Sequence, residues 1–438
     1  MNKNQEEKPM LNRFPGIVLL LSFSILFSAS GWPEFRGPGG TGRVEFESHK
    51  EAGALPLSWD ETKNVTWKTS IPYKGWSTPA ILDGKIWLTT ASEDGHDFFA
   101  ICVDAQTGEV LLNERMFNWE NPEPLGNHLN SYASPSPVVE PGRVYLSFGS
   151  YGTACLNTNT YEVLWKRADL PCRHYRGPGS SPVLFGDYLI LTMDGVDVQY
   201  LVALDKNTGK PVWKTDRTVE WNDLGEDGKP YSEGDLRKAF STPLIIQHNG
   251  KTQLISLGSR AVYSYDPTTG KELWKVRHEA FSGAARPVFG EGLAIFSTGH
   301  GKSEIIAVRV DGQGDVTDTH VAWRTNRGAP NMPSPVVVDD LLFMLNDNGI
   351  LTCLETKTGS EVWKQRLGGD YASSPLYANG RLYCFSQDGI STVVAASRKS
   401  EELAINKLDS GFMASPAVAG QSFFLRTKTH LYKIDAAQ

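Results

Sequence analysis

The residues of this chain best suited to chemistry stand just ahead of a recurring Ser/Thr-Pro step. They are Trp76, Tyr132, Arg176, Lys238, Asn331, Tyr371 and Phe412, with Arg173, His174, Tyr175, Arg237, Phe240, Met332 and Met413 beside them. Aromatic rings mixed with guanidinium and ammonium groups suit an anionic or planar ligand, or a peptide, held by stacking and charge-assisted hydrogen bonds. Arg286 joins the group for another reason. It precedes Pro287 where the other seven steps carry a hydroxyl residue. A long cation replacing a small hydroxyl must be paired or must bind something, so Arg286 is expected either to contact a ligand or to form an internal ion pair.

Other chemistries find no support. The nine histidines have no metal-ligand spacing, no Gly-x-Ser-x-Gly elbow occurs, and no nucleophile can be nominated. Gly299-His300-Gly301-Lys302-Ser303 ends like a phosphate loop but lacks the earlier glycine and reads as a turn between strands. The acidic stretch Asp223, Glu226, Asp227, Glu233 and Asp235 has no EF-hand spacing and reads as a solvated loop. No catalytic residue and no metal ligand is therefore assigned.

The elements that position these residues follow from two alternating anchors. The first is the Ser/Thr-Pro step, at Thr78, Ser136, Ser181, Thr242, Ser334, Ser374 and Ser415, with Arg286 as the deviant. The second is an acidic or amide residue, a turn usually ending Thr-Gly, and a Trp eight positions on, as in Asp205 to Trp213, Asp266 to Trp274, Glu355 to Trp363 and Asn157 to Trp165. Alternating runs such as Arg143–Ser147 and Leu341–Leu345 lie between, broken by Gly-containing turns, and read as strands joined by hairpins.

Four antiparallel strands per unit of about 40 to 60 residues make one propeller blade. Eight Ser/Thr-Pro-type starts predict an all-β, eight-bladed β-propeller over residues 64–438. The last start leaves room for only three strands, and residues 64–70, with Trp67 placed like Trp213, supply the fourth and close the ring. Seven blades, with an irregular unit at Arg286-Pro287, is the competing count. In such a ring the residues ahead of each Ser/Thr-Pro step converge on one mouth of the central channel, where they bind a ligand or simply fill the opening. The long loops Arg115–Ala133 and Thr215–Ala239 leave toward the same mouth.

The unit Asp-x-x-Thr-Gly-x-x-x-Trp resembles the repeat of pyrroloquinoline-quinone (PQQ) dehydrogenases and of BamB, the propeller subunit of the outer-membrane assembly machinery. The segment Trp32-Pro33-Glu34-Phe35-Arg36-Gly37-Pro38-Gly39-Gly40 is similar to the lead-in of exported PQQ-like propellers. The resemblance implies that Trp67, Trp165, Trp213, Trp274, Trp323 and Trp363 dock on the Thr-Gly turns of neighbouring blades. It does not supply the vicinal cysteine pair or the Asp-Glu-Asn calcium set of the quinone-dependent alcohol dehydrogenases. The expected function is a non-catalytic binding or scaffold module with no cofactor, taking a protein, peptide or small ligand. The alternative is an alcohol or sugar oxidoreductase holding pyrroloquinoline quinone with calcium at the channel mouth.

Residues 1–31 place Lys3, Lys8 and Arg13 before an apolar run and end in small residues, the pattern of a signal peptide cleaved near 30–31. No Cys stands at that exit to accept a lipid. The apolar run is shorter than the roughly 20 residues a spanning helix needs. The mature chain is thus expected in the periplasm or outside the cell, not inserted in a membrane, and monomeric, with residues 32–63 as an extension before the propeller. Removal of residues 1–31 moves the formal charge from −7 to −8, which disfavours nucleic acid. Cys102, Cys155 and Cys353 occupy one slot in three repeats where Ala203 and Ser264 stand in others, the behaviour of small packing residues rather than of disulfides.

Overall fold

The middle strands of each repeat, such as Leu341–Leu345, are buried on both faces, whereas outer strands such as Val65–Ser70 alternate between half-buried and exposed residues. That contrast comes from stacking sheets face to face around an axis, which covers the middle strands twice and the outer ones once. The computed structural model describes residues 1, 31–44, 55–126 and 129–436. The signal-peptide expectation falls almost wholly outside them. Among the described residues no helix is long and apolar enough to cross a membrane.

Eight antiparallel sheets form the ring. Blade 1 runs from Ala80 to Asn118, blade 2 from Val138 to Arg167, blade 3 from Val183 to Asp216 and blade 4 from Leu244 to Arg277. Blade 5 covers Val288 to Thr325, blade 6 Val336 to Arg366 and blade 7 Leu376 to Lys407. Blade 8 combines three strands within Ala417–Ile434 with Val65–Ser70, which pairs antiparallel to His430–Ile434 and closes the ring. The eight-bladed expectation holds and the seven-bladed one does not. Blade 5 is the irregular unit, yet complete. Its third and fourth strands are separated by a longer excursion whose Gly314–Asp315 pairs parallel to Trp274–Lys275 at the edge of blade 4.

The Trp anchors tie neighbouring blades. The Nε1 of Trp165 donates to Lys206 O at 2.9 Å, that of Trp213 to Pro267 O at 3.2 Å and that of Trp323 to Thr356 O at 3.0 Å. Trp67 reaches Ala105 O at 3.3 Å and Trp363 reaches Ser397 O at 2.8 Å. A Cβ on Gly209 would stand 2.6 Å from the Trp165 ring, which is why the turn ends in glycine. Trp274 departs from the pattern. Blade 5 has no Thr-Gly turn to receive it, and it is wholly buried with Nε1 donating to Gln253 Oε1 at 2.9 Å in its own blade.

The Ser/Thr-Pro step also has a physical role. The backbone N–H of Thr78 donates to Ser136 Oγ, that of Ser136 to Ser181 Oγ and that of Ser181 to Thr242 Oγ1, each at 2.9 Å. Arg286, Ser334 and Ser374 continue the pattern onto Ser334, Ser374 and Ser415 at 2.9 to 3.0 Å. Each hydroxyl satisfies a buried N–H of the preceding blade, and the proline that follows brings no further donor to satisfy.

Residues 31–44 cross the channel as a strap. Trp32 exchanges backbone hydrogen bonds with Ile81 of blade 1 at 2.8 Å, and Pro33 O accepts from Val139 N of blade 2. Arg36 donates to Pro335 O ahead of blade 6 at 2.6 Å, and Arg43–Val44 pair parallel to Tyr377–Ala378 of blade 7. Gly40 has φ +68°, and a Cβ there would overlap the Arg286 guanidinium. The second part of the extension packs outside the channel, where Trp59 is buried against Tyr383, Phe385 and Phe423.

Candidate functional site

Because the strap crosses below it, the central channel is a one-ended pocket of about 420 Å³ with Phe35 in its lining. The residue two places before every Ser/Thr-Pro-type step lines it. These are Trp76, Ser134, Gly179 and Phe240 in blades 1–4, and Ala284, Met332, Ala372 and Met413 in blades 5–8. Below them lie hydroxyl residues of the steps themselves, Thr78, Ser136, Ser181, Thr242, Ser374 and Ser415. An extended segment turns alternate side chains to opposite sides, so positions two apart share the pocket and the residues between them do not.

That alternation accounts for Trp76, Lys238, Phe240, Met332 and Met413 on the lining and for Tyr371, Phe412 and Asn331 off it, but not for Arg176, five places before Ser181, or Tyr132, four places before Ser136. Trp76, Arg176 and Lys238 line the pocket, as do Phe240, Met332 and Met413. Tyr371 and Phe412 are buried in the interblade core instead, one place before the lining residues Ala372 and Met413. Asn331 lies outside the lining, its backbone N–H bonded to Asp347 Oδ2 at 2.7 Å. Tyr132 packs edge-on to Phe98 and donates to Glu123 O at 2.8 Å, and burial raises its phenol pKa.

Arg286 is not in the pocket wall either. It is 1 % exposed beneath the floor, where Nη2 pairs with Glu34 at 3.0 Å, Nη1 donates to Phe35 O at 2.6 Å and Nε donates to Pro243 O at 3.0 Å. Of its two expected roles the structure gives the internal ion pair. The bond to Pro243 O ties blade 5 to blade 4 where the missing hydroxyl cannot. Arg36 lies near Arg286, and burial together with that charge lowers its pKa to about 9.

Besides the small residues two places before the steps, the lining holds residues that were not among the predicted contacts. Phe281 and Ser282 lie further upstream of the deviant step at Arg286, His300 belongs to the hairpin read as a plain turn, and Asp235 to the loop read as solvated acid. Asp235 accepts from Lys238 Nζ and stands 3.9 Å from Arg176 Nε. Lys238 is 3 % exposed along its side chain, and its pKa is lowered by burial against the opposing pull of Asp235. Both long loops reach this mouth, one through Leu129 and Asn130, the other through Asp235 and Lys238.

A second, open cleft beside blades 2 and 3 is lined by Trp119, Glu123, Tyr151, Cys172, Arg173 and Asp197. Cys172 Sγ lies 3.6 Å from His174 Nδ1, the layout of a thiol and a base. His174 Nε2 accepts from Ser150 N–H at 3.1 Å, so the neutral ring carries its proton on Nδ1 and cannot take one from the thiol. Burial lowers the His174 pKa to about 4 and raises that of Cys172. The pair has no means of forming a nucleophile.

A calcium-held quinone does not fit the central pocket. Among the described residues Asp235 is the one carboxylate in its lining, and it is engaged by Lys238 and Arg176. Among the described residues no His, Cys, Asp or Glu cluster is arranged for a metal ion, and all five cysteines are buried and unpaired.

The family model described as outer membrane protein assembly factor BamB matches residues 119–215 and 197–438. Among curated proteins, BamB of Yersinia pestis is 22% identical over 205 residues, 43% of this chain and 47% of the relative. BamB of Shewanella oneidensis is 25% identical over 261 residues, 59% and 60% of the two chains. The chain thus spans about half the length of the curated relatives it matches. BamB from Moraxella catarrhalis superposes with a TM-score of 0.58 at 11% identity, covering 84% of this chain and 99% of that one. The quinohemoprotein alcohol dehydrogenase of Comamonas testosteroni gives 0.66 at 11% identity, covering 93% and 80%. At such identity both likenesses speak to the fold. With the family model matched over most of its length, the chain belongs to the BamB-type family of PQQ-like β-propellers.

Proposed function

We propose that this protein is a non-catalytic binding scaffold of the cell envelope that receives a protein, peptide or small ligand at the open mouth of its central pocket. The observation that carries the reading is the strap. By closing one end of the channel it leaves a blind, largely apolar cavity walled by all eight blades, with a few polar groups to orient a guest. The family match and the curated relatives, named as assembly factors, support a protein partner and an exported location. The oxidoreductase alternative draws on fold likeness alone, and the pocket lining gives it no support.

Filling the cavity tests the reading. Ala372→Trp and Ala284→Trp each add a ring inside the wall without touching the Trp docking or the strap. Both variants are expected to keep the parent's melting temperature and lose a partner that the parent retains from an envelope extract. Retention of the same partner by parent and both variants would contradict it.

A further inference from the structure

The pocket is charged on one side and largely apolar elsewhere. At the edge of blades 3 and 4, Arg176 and Lys238 share the counter-charge of Asp235, the one lining carboxylate among the described residues, so one positive charge remains unbalanced there. Arg176 is 28 % exposed along its side chain and spends one N–H on Gly126 O at 2.9 Å. The rest of the wall is largely apolar, with Phe35, Trp76, Phe240, Phe281, Met332 and Met413.

We infer that the pocket binds an apolar group carrying one carboxylate, the chemistry of an N-acylated apolar amino acid, free or at the C-terminus of a polypeptide. The carboxylate meets Arg176 and Lys238, and the side chain lies among the aromatic and methionine residues. A single unbalanced positive charge favours one carboxylate over several. This assignment rests on the binding reading above and adds the ligand's chemical class.

Calorimetric titration of the whole protein with N-acetylphenylalanine and with N-acetylphenylalaninamide reads the class directly. The acid is expected to bind about tenfold or more tightly than the amide, since a charge-assisted bond is lost with the carboxylate. Arg176→Gln should remove that preference and leave amide binding unchanged. Trp76→Ala should weaken both ligands by about fivefold through lost apolar contact while keeping the preference. N-acetyl-Ala-Ala-Phe binding more tightly than N-acetylphenylalanine would assign a polypeptide C-terminus as the source, and equal or weaker binding a free acid. Equal affinity for acid and amide, no effect of Arg176→Gln, or no binding of either probe would overturn the assignment. The cavity-filling variants judge the scaffold reading separately, because they need no knowledge of the ligand.

Discussion

Arg286 of the fifth blade and Glu34 of the strap form a 3.0 Å ion pair beneath the pocket floor, joining two segments that only the closed ring brings together. The guanidinium is almost wholly buried, and among the described residues the carboxylate supplies its only counter-charge within hydrogen-bond reach. Glu34→Gln is expected to cost about 3 kcal/mol, the low end for breaking a buried pair because Glu34 keeps some exposure. Urea denaturation measures it. Arg286→Ser restores a hydroxyl to the interblade series but releases the strap, so the ring should persist while a protease cuts within residues 36–43.

Two buried histidines set an acid limit. Burial lowers His174 to about 4 and His278 to about 3, whereas the unfolded chain titrates near 6.5. A lowered histidine favours the fold fully above about 6.5 and loses that contribution as the pH falls toward the folded value, at up to about 1.4 kcal/mol per unit for each ring. The melting temperature should therefore fall from pH 7 to pH 4. His174→Gln keeps an acceptor for Ser150 N–H and cannot titrate, so its profile should lose about one proton's slope. An unchanged slope would remove His174 from the account.

Two glycines with the same backbone strain separate the docking role of the Thr-Gly turn from its conformation. Gly209 has φ +69° and abuts Trp165, whereas Gly186 has φ +56° and open space around its Cβ direction. Alanine at either pays about 1–2 kcal/mol for the left-handed backbone. Only Gly209→Ala must also displace the ring, adding about 1–3 kcal/mol of overpacking. Equal losses in denaturant melts would contradict the docking role.

The five cysteines are buried and unpaired, and burial pushes Cys102, Cys155, Cys353 and Cys384 up to about 12. Ellman titration should find no fast thiol in the native protein and five in guanidinium. Fewer than five after unfolding would mean a disulfide.

The ring was readable because each blade repeats its own signals. Ser/Thr-Pro steps, Thr-Gly turns and Trp strands recur within each unit, and strand counting alone placed Val65–Ser70 in the last blade. The pocket was only partly readable. The segments ahead of each Ser/Thr-Pro step do hold the lining, yet a period of two turns Tyr371, Phe412 and Asn331 away from it. Applying that period from the hydroxyl residue backward selects Trp76, Ala372 and Met413 unaided. The strap was beyond reach, because its partners Arg286, Pro335 and Tyr377 lie hundreds of residues away and carry no local pattern pointing to it.

The central claim is that this pocket binds without catalysing. The most direct measurement is titration of the purified protein with pyrroloquinoline quinone and calcium, followed by absorbance, melting temperature and reduction of an artificial electron acceptor with an alcohol or a sugar. The account predicts no bound-quinone band, an unchanged melting temperature and no turnover. A saturable band accompanied by substrate-dependent acceptor reduction would contradict it.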